Sequence, residues 1–367
     1  MVNRQIIPHF KKLKFHNPAV VVLGPKQSGK TTLVKEYFYK YNPSYINLED
    51  WITLSKAKND PANFLKQYIF PIILDSAHRA PELLKYIPDL IGDYKGDAKI
   101  VLIGLPHPAL KKFAEKEFVA IINLLPLSIT EILNKKAEEY ISSGFMPNIC
   151  YSKYYSDYLE KDVGQFINLS NINGFHKFIM LLAEQVGQTA NLNLLAKKVG
   201  VSSVTLSSWM NVLENSGIVF KLPHYPDNFG KRLIKSPRIY FTDVALAAYL
   251  LGIKEPRQVE THSLFESLFK NMIIAEILKN SYNKGEEPNL YHFTDNHNLN
   301  IDLILHKKEM HLIKITPKEN YSSVIGSLLK ISEKIERDKC LTVICTGRQK
   351  TANGICIRNF RQGLEFT

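Results

Sequence analysis

Long apolar runs are absent from this chain. None reaches the roughly 18 residues that a membrane span requires. The longest candidate, Ile239 to Ile253, is short and interrupted by Asp243, so no membrane partner is expected. The opening stretch, MVNRQIIPHFKKLKF, has no continuous apolar core of signal-peptide type, and the expected location is cytoplasmic. Cysteine is scarce. Cys150, Cys340, Cys345 and Cys356 are widely spread, with no CxxC pair and no Cys/His cluster at zinc spacing. A disulfide-stapled scaffold is thereby excluded, and the four read as free thiols in a reducing compartment. The histidines form no HExxH pattern; His292, His297, His306 and His311 lie close in sequence but read as core or surface groups rather than zinc ligands. Acidic charge is in deficit, which leaves a formal net charge of +12. That balance favours polyanionic partners such as nucleic acid, as a tendency only.

At 367 residues the chain is too long for one ordinary core and implies two or three domains. Near its start, Ala19 to Leu23 (AVVVL) is a short, β-branched apolar run of the kind buried in a parallel sheet. It leads directly into Gly24-Pro25-Lys26-Gln27-Ser28-Gly29-Lys30-Thr31, a complete GxxxxGK[ST] loop, and then into a helical pattern from Thr32. Glycines permit backbone conformations in which successive N–H groups close around phosphate oxygens. The helix that follows aims its positive end at the same anion. The candidate nucleotide-binding residues are therefore Gly24, Pro25, Lys26, Gln27, Ser28, Gly29, Lys30, Thr31 and Thr32. Lys30 is expected at the β- and γ-phosphates of ATP and the Thr31 hydroxyl on magnesium.

A second apolar run, Pro71 to Leu74, ends in Asp75, which is assigned to the outer sphere of the same magnesium. A third, Lys99 to Gly104, completes a β-α-β series. The segments GPKQSGKTTL, YINLED, FPIILDSAHRAPELL, KIVLIG and LLPLSITEIL follow in that order and spacing. Together they resemble the prokaryotic AAA-like P-loop ATPases. Fainter matches follow downstream: GFMP at Gly144, YLEKDV at Tyr158 and SPRIYFTDVAL at Ser236. The resemblance implies a P-loop core, then a winged helix, then a C-terminal domain of the restriction-endonuclease fold.

Departures from the family pattern are as informative as the matches. The family follows its Walker B aspartate with a glutamate that polarises the attacking water; this chain has Ser76. A serine has no carboxylate with which to orient or deprotonate water. Where a polar sensor faces the γ-phosphate, this chain ends its strand Ile103-Gly104-Leu105, and the Leu105 side chain cannot bond phosphate. In the loop region before LLPLS, which often carries an arginine, stand Phe118 and Val119. The expectation is an ATP-binding, nucleotide-dependent switch with weak or absent hydrolysis. The alternative is an active ATPase that remodels nucleic acid or protein, with Glu49 or Asp50 of YINLED supplying the missing carboxylate. Those two residues read otherwise as an ordinary strand-end and helix-start acid.

From about Asn134 to Leu251 the pattern is largely helical, with a tyrosine stripe (Tyr151, Tyr154, Tyr155, Tyr158) that reads as packing. Asn191 to Val199 and Ser203 to Asn215 read as helices around a tight turn, with Ser202 as an N-cap. Gly217 to Leu222 and Arg238 to Thr242 read as strands of a wing. The second helix has no Lys or Arg. The wing has Lys221, Lys231, Arg232, Lys235 and Arg238 against the single acid Asp227, a patch suited to DNA phosphates. The competing reading makes the winged helix a lid beside the nucleotide. Asp243 reads as a capping or packing residue. Beyond Pro256 the pattern returns to α/β, with a helix near Ser263 to Asn280, three strands, a helix and a further strand. The resemblance puts Glu266 and Asp302 at nuclease metal positions. The third motif, however, reads Ile313-Lys314-Ile315-Thr316, with a cation where an acid belongs and no catalytic lysine; nuclease activity is not expected. The expected fold class is α/β: an AAA-like P-loop domain (1–135), a helical and winged-helix domain (136–254) and an α/β endonuclease-like domain (255–367). The protein partner is unknown.

Overall fold

Ala19–Leu23 (β1) is buried along its whole length, because β1 sits inside a sheet covered on both faces. The computed structural model describes residues 2–92, 97–132, 135–146, 149–159, 163, 171–226, 236–295, 299–319, 321–335, 337–362, 364 and 366. Its contacts divide the chain into two compact units, Met1–Pro126 with Asn215–Gly217 and Tyr282–Glu286, and Leu127–Glu214 with Ile218–Ser281 and Glu287–Thr367.

In the first unit β1 is joined by Ser44–Asn47 (β2), Ile72–Asp75 (β3), Ile100–Gly104 (β4) and Val119–Asn123 (β5). The order is β2-β3-β4-β1-β5, and every pairing is parallel. Alternate residues of β1 serve opposite faces: Ala19, Val21 and Leu23 enter one core, and Val20 and Val22 the other. That two-sided burial is why the run is continuously apolar. The expected second and third strands form, one residue shorter at their starts. Val119 begins β5 instead of lying in a loop.

In the second unit, Leu192–Val199 and Ser203–Asn215 are helices, and Ser202 Oγ accepts from Thr205 N at 3.0 Å as the expected N-cap. Val219–Leu222 (β6) and Arg238–Phe241 (β7) pair antiparallel. Asp243 caps the helix Val244–Leu250 and also accepts the Tyr151 hydroxyl at 2.7 Å, so both its expected roles are met. The four stripe tyrosines are buried. A 20-residue helix, Phe265–Lys284, follows; its last residues belong to the first unit.

A mixed sheet closes the second unit: Leu290–Thr294 (β8), Asn300–His306 (β9), Met310–Ile315 (β10), Lys339–Cys345 (β11), Lys350–Ala352 (β12) and Ile355–Asn359 (β13), in the order β12-β13-β11-β10-β9-β8. The helix Ser322–Ser332 packs on this sheet. β12 and β13 were not expected. Their sequences, KTA and ICIRN, are too short and show too little alternation to stand out from a turn.

Candidate nucleotide-binding site

The loop leaves β1 between its neighbours β4 and β5. Gly24 N donates to Gly104 O at 3.2 Å. A Cβ on Gly24 would stand 2.0 Å from the Leu124 carbonyl oxygen, so only glycine fits this crossing. Gln27 and Gly29 take positive φ, 61° and 90°, which folds the backbone into the concave turn that anion loops use. The helix Lys30–Phe38 starts at Gly29 with no side-chain cap and no acid in its first turn. Its first N–H groups are therefore left for an anion.

Lys30 Nζ donates to the carbonyls of Gly24 at 2.9 Å and Pro25 at 2.6 Å, which holds the ammonium against the loop. The Ser28 hydroxyl is buried without a hydrogen-bond partner in the protein, and a phosphate oxygen would supply one. Pro25 is buried and Lys26 half-buried on the loop, while Thr32 is exposed as the third residue of the helix.

Thr31 and Asp75 come together. The Thr31 hydroxyl donates to Asp75 Oδ2 at 2.7 Å, and the Tyr45 hydroxyl donates to the same oxygen at 2.7 Å. Burial and that carboxylate push the Tyr45 hydroxyl pKa far up, so it stays a donor. Among the described residues no group of three or more His, Cys, Asp or Glu could hold a metal. One hydroxyl and one carboxylate, both hard oxygen donors, suit magnesium, which takes its remaining ligands from phosphate and water. The residues present fit that ion.

At the three departures from the family pattern, the surroundings matter. Ser76 takes a left-handed φ of 61°, and its Oγ lies 3.5 Å from Glu49 Oε1. Asp50 instead caps the helix Trp51–Asn59, accepting from Thr53 N at 2.9 Å and Thr53 Oγ1 at 2.6 Å. Those hydrogen bonds lower its pKa, and it is the helix-start acid already foreseen. Leu105 is buried, but its N–H faces His78 Nδ1 at 3.5 Å. Burial, then the charges of His107, Lys30, Arg79 and Lys26, bring the His78 pKa down to about 3. His78 is thus a neutral polar group beside the end of β4.

Sequence reasoning missed His78 and also Arg4. Arg4 donates through Nη1 to Ser28 O and through Nη2 to Leu125 O, each at 2.8 Å. One guanidinium thereby ties the phosphate loop to the chain leaving β5. His78 could have been noticed as the nearest polar ring after Asp75. Nothing in the N-terminal sequence marks Arg4.

Elsewhere, the basic wing residues Lys231, Arg232 and Lys235 lie outside the described residues, as do His297, Asp227, Pro147 and much of YLEKDV. Lys221 pairs with Glu214, and Arg238 donates to Thr294 Oγ1 at 2.9 Å. In the mixed sheet, buried Asp302 stands 3.4 Å from Lys314 Nζ and 3.3 Å from Lys270 Nζ. Glu266 is engaged by Lys270 at 2.8 Å. Burial alone would raise the Asp302 pKa; the two lysines reverse this and keep it below the usual carboxylate range. Thr316 is buried at the end of β10. Ammonium groups thus occupy the surroundings of the buried Asp302 carboxylate. Of the four histidines, His292 and His311 are buried and His306 is half-buried.

Loop, helix and sheet define an α/β P-loop nucleotide-binding protein. Residues 16–133 match the family model described as an AAA domain. Residues 134–257 and 265–359 match two described as domains of unknown function, DUF8612 and DUF4143. These matches support a relation to the prokaryotic AAA-like P-loop ATPases, carried by the AAA domain at residues 16–133. It is similar to an uncharacterised protein of Mycobacterium tuberculosis, 23% identical over 274 residues, covering 71% of this chain and 62% of that protein. An uncharacterised protein of Haemophilus influenzae is 23% identical over 189 residues, covering 44% of this chain and 45% of its own. The chain thus spans less than two thirds of the length of the curated relatives it matches. Among solved structures, the Walker-type ATPase of Pyrococcus abyssi aligns at a TM-score of 0.40 with 12% identity, covering 68% of this chain and 96% of that one.

Proposed function

We propose that this protein binds Mg-ATP at Gly24 to Thr32, with Thr31 and Asp75 at the magnesium, and acts as a nucleotide-dependent switch that hydrolyses slowly. The observation that carries binding is the loop itself: an uncapped helix start, an orphan Ser28 hydroxyl and the Thr31–Asp75 pair at 2.7 Å. Slow hydrolysis is supported by Ser76, which supplies no carboxylate, and by Leu105, which supplies no side-chain donor. The switch is supported by Gly217, in the turn between Ser203–Asn215 and β6. It has φ +73°, and a Cβ there would lie 3.2 Å from Pro25 N. A phosphate loop that shifts on binding ATP would press on this turn.

The proposal includes the three-domain division at 135 and 254, a winged helix, and an endonuclease-like domain kept as a platform. DNA contact through the basic wing is part of it. A second reading, an active ATPase that remodels nucleic acid or protein, is favoured by the Glu49 carboxylate beside Ser76.

Thermal melts with Mg-ATP test binding, because a ligand that binds only the native state must stabilise it. Wild type is expected to gain several degrees at millimolar ATP, and Lys30→Ala to gain none. No shift in wild type would remove the binding reading. Single-turnover hydrolysis near about one per second, a rate ordinary for enzymes, would remove the slow switch in favour of the active ATPase.

A further inference from the structure

We propose that Glu49 is the carboxylate that orients the attacking water, reaching from the turn after β2 to the place where the family's glutamate would stand. This rests on the reading that the P-loop binds Mg-ATP. Strand register carries the argument. β2 runs parallel to β3 with Asn47 opposite Asp75, and Leu48 N donates to Asp75 O at 3.0 Å. The chain of β2 therefore passes alongside Asp75 and Ser76. Beyond it, Glu49 N donates back to Asn47 Oδ1 at 3.0 Å, and the side chain turns to place Oε1 3.5 Å from Ser76 Oγ.

Neighbouring strands lie about 4.8 Å apart, so a glutamate in the turn after the outer strand can deliver its carboxylate to a serine just past the end of the inner one. β2 already reaches inward once, since the Tyr45 hydroxyl bonds the same Asp75 oxygen as Thr31. The two acids of YINLED divide their tasks. Asp50 is committed to its helix cap, whereas among the described residues no cation pairs with Glu49.

The step balances without a further reactant. The water oxygen bonds to the γ-phosphorus, and the bond from phosphorus to the β–γ bridging oxygen breaks with its electron pair leaving on ADP. One water proton passes to the Glu49 carboxylate and from there to phosphate or solvent. Ser76 Oγ, next to that carboxylate, fixes its direction.

Glu49→Gln keeps the shape and removes the base. ATP affinity, measured by titration of a fluorescent analogue, is expected to stay within about twofold. Single-turnover hydrolysis is expected to fall about a hundredfold or more, the usual contribution of a positioned base. ADP with aluminium fluoride, which mimics the transition state, is expected to lose its advantage over ADP in the variant. Adding Ser76→Glu to Glu49→Gln returns a carboxylate to the position that follows β3 and should restore turnover. Glu49→Gln that binds ATP and hydrolyses at the wild-type rate would overturn the proposal. So would wild type that binds ATP and shows no hydrolysis at all. Wild type that fails to bind ATP would instead remove the binding reading on which the proposal rests.

Discussion

Arg4 donates through both terminal nitrogens to backbone carbonyls, one in the phosphate loop and one beyond β5. A single side chain thereby fixes the loop relative to the sheet before any nucleotide arrives. Arg4→Ala is expected to weaken ATP binding about tenfold, the scale of losing one charge-assisted hydrogen bond. Arg4→Lys, which keeps the charge but not the fork, should lose most of the same affinity. Titration with a fluorescent nucleotide decides; unchanged affinity in Arg4→Ala would show that the loop holds its shape unaided. The loop residues were legible from order and spacing alone, because the chemistry of phosphate binding is local. Arg4 was not, since its partners Ser28 and Leu125 lie 24 and 121 residues away.

β1 and the helix Phe265–Lys284 show what element-level patterns carry. The apolar run of β1 reported a strand buried on both faces. The helix was expected from Ser263 to Asn280 and runs from Phe265 to Lys284, a displacement at the ends where helix signals are weakest. Its buried polar residues have a task that no periodicity reveals. Glu276 accepts from Ile129 N at 2.8 Å, and Lys279 donates to Leu127 O at 3.0 Å, so together they hold the backbone from Leu127 to Ile129. Burial pushes the Glu276 carboxyl up from 4.5 to about 7 despite the Lys279 charge. A raised pKa means that the folded state holds the proton more tightly than the unfolded one. The stability it contributes is full below pH 4.5 and is lost as pH rises through about 7. Glu276→Gln lacks that loss. Relative to wild type its stability should improve by roughly 3 kcal/mol between those pH values. Thermal melts at the two pH values check it; a parallel pH response in both proteins would count against the burial argument.

At the scale of the whole molecule, the charge balance of +12 and the basic wing bear on DNA. Lys221 and Arg238 are engaged with Glu214 and Thr294, so phosphate contact is expected to rest on Lys231, Arg232 and Lys235. Replacing those three with alanine should weaken duplex DNA binding alike across sequences. It should also flatten the salt dependence by about one unit of slope per lost contact. Fluorescence anisotropy over a salt series measures this; equal slopes would place any DNA contact elsewhere. Among the described residues no helix is long and apolar enough to cross a membrane.

The sequence by itself determined the phosphate loop, the parallel sheet that carries it and the loss of the usual carboxylate at Ser76. Each of these is written within a short stretch of chain: a motif, an apolar run, a single position beside Asp75. Tertiary structure decided what surrounds them. Parallel register brings β2 alongside β3 across more than twenty residues of intervening chain, and so sets Glu49 beside Ser76 while Asp50 turns to cap a helix. Folding likewise delivers Arg4 to the loop, and surrounds Asp302 with Lys270 and Lys314. The physical reason is the same throughout: backbone conformation is largely local, whereas electrostatic partners are chosen by proximity in space.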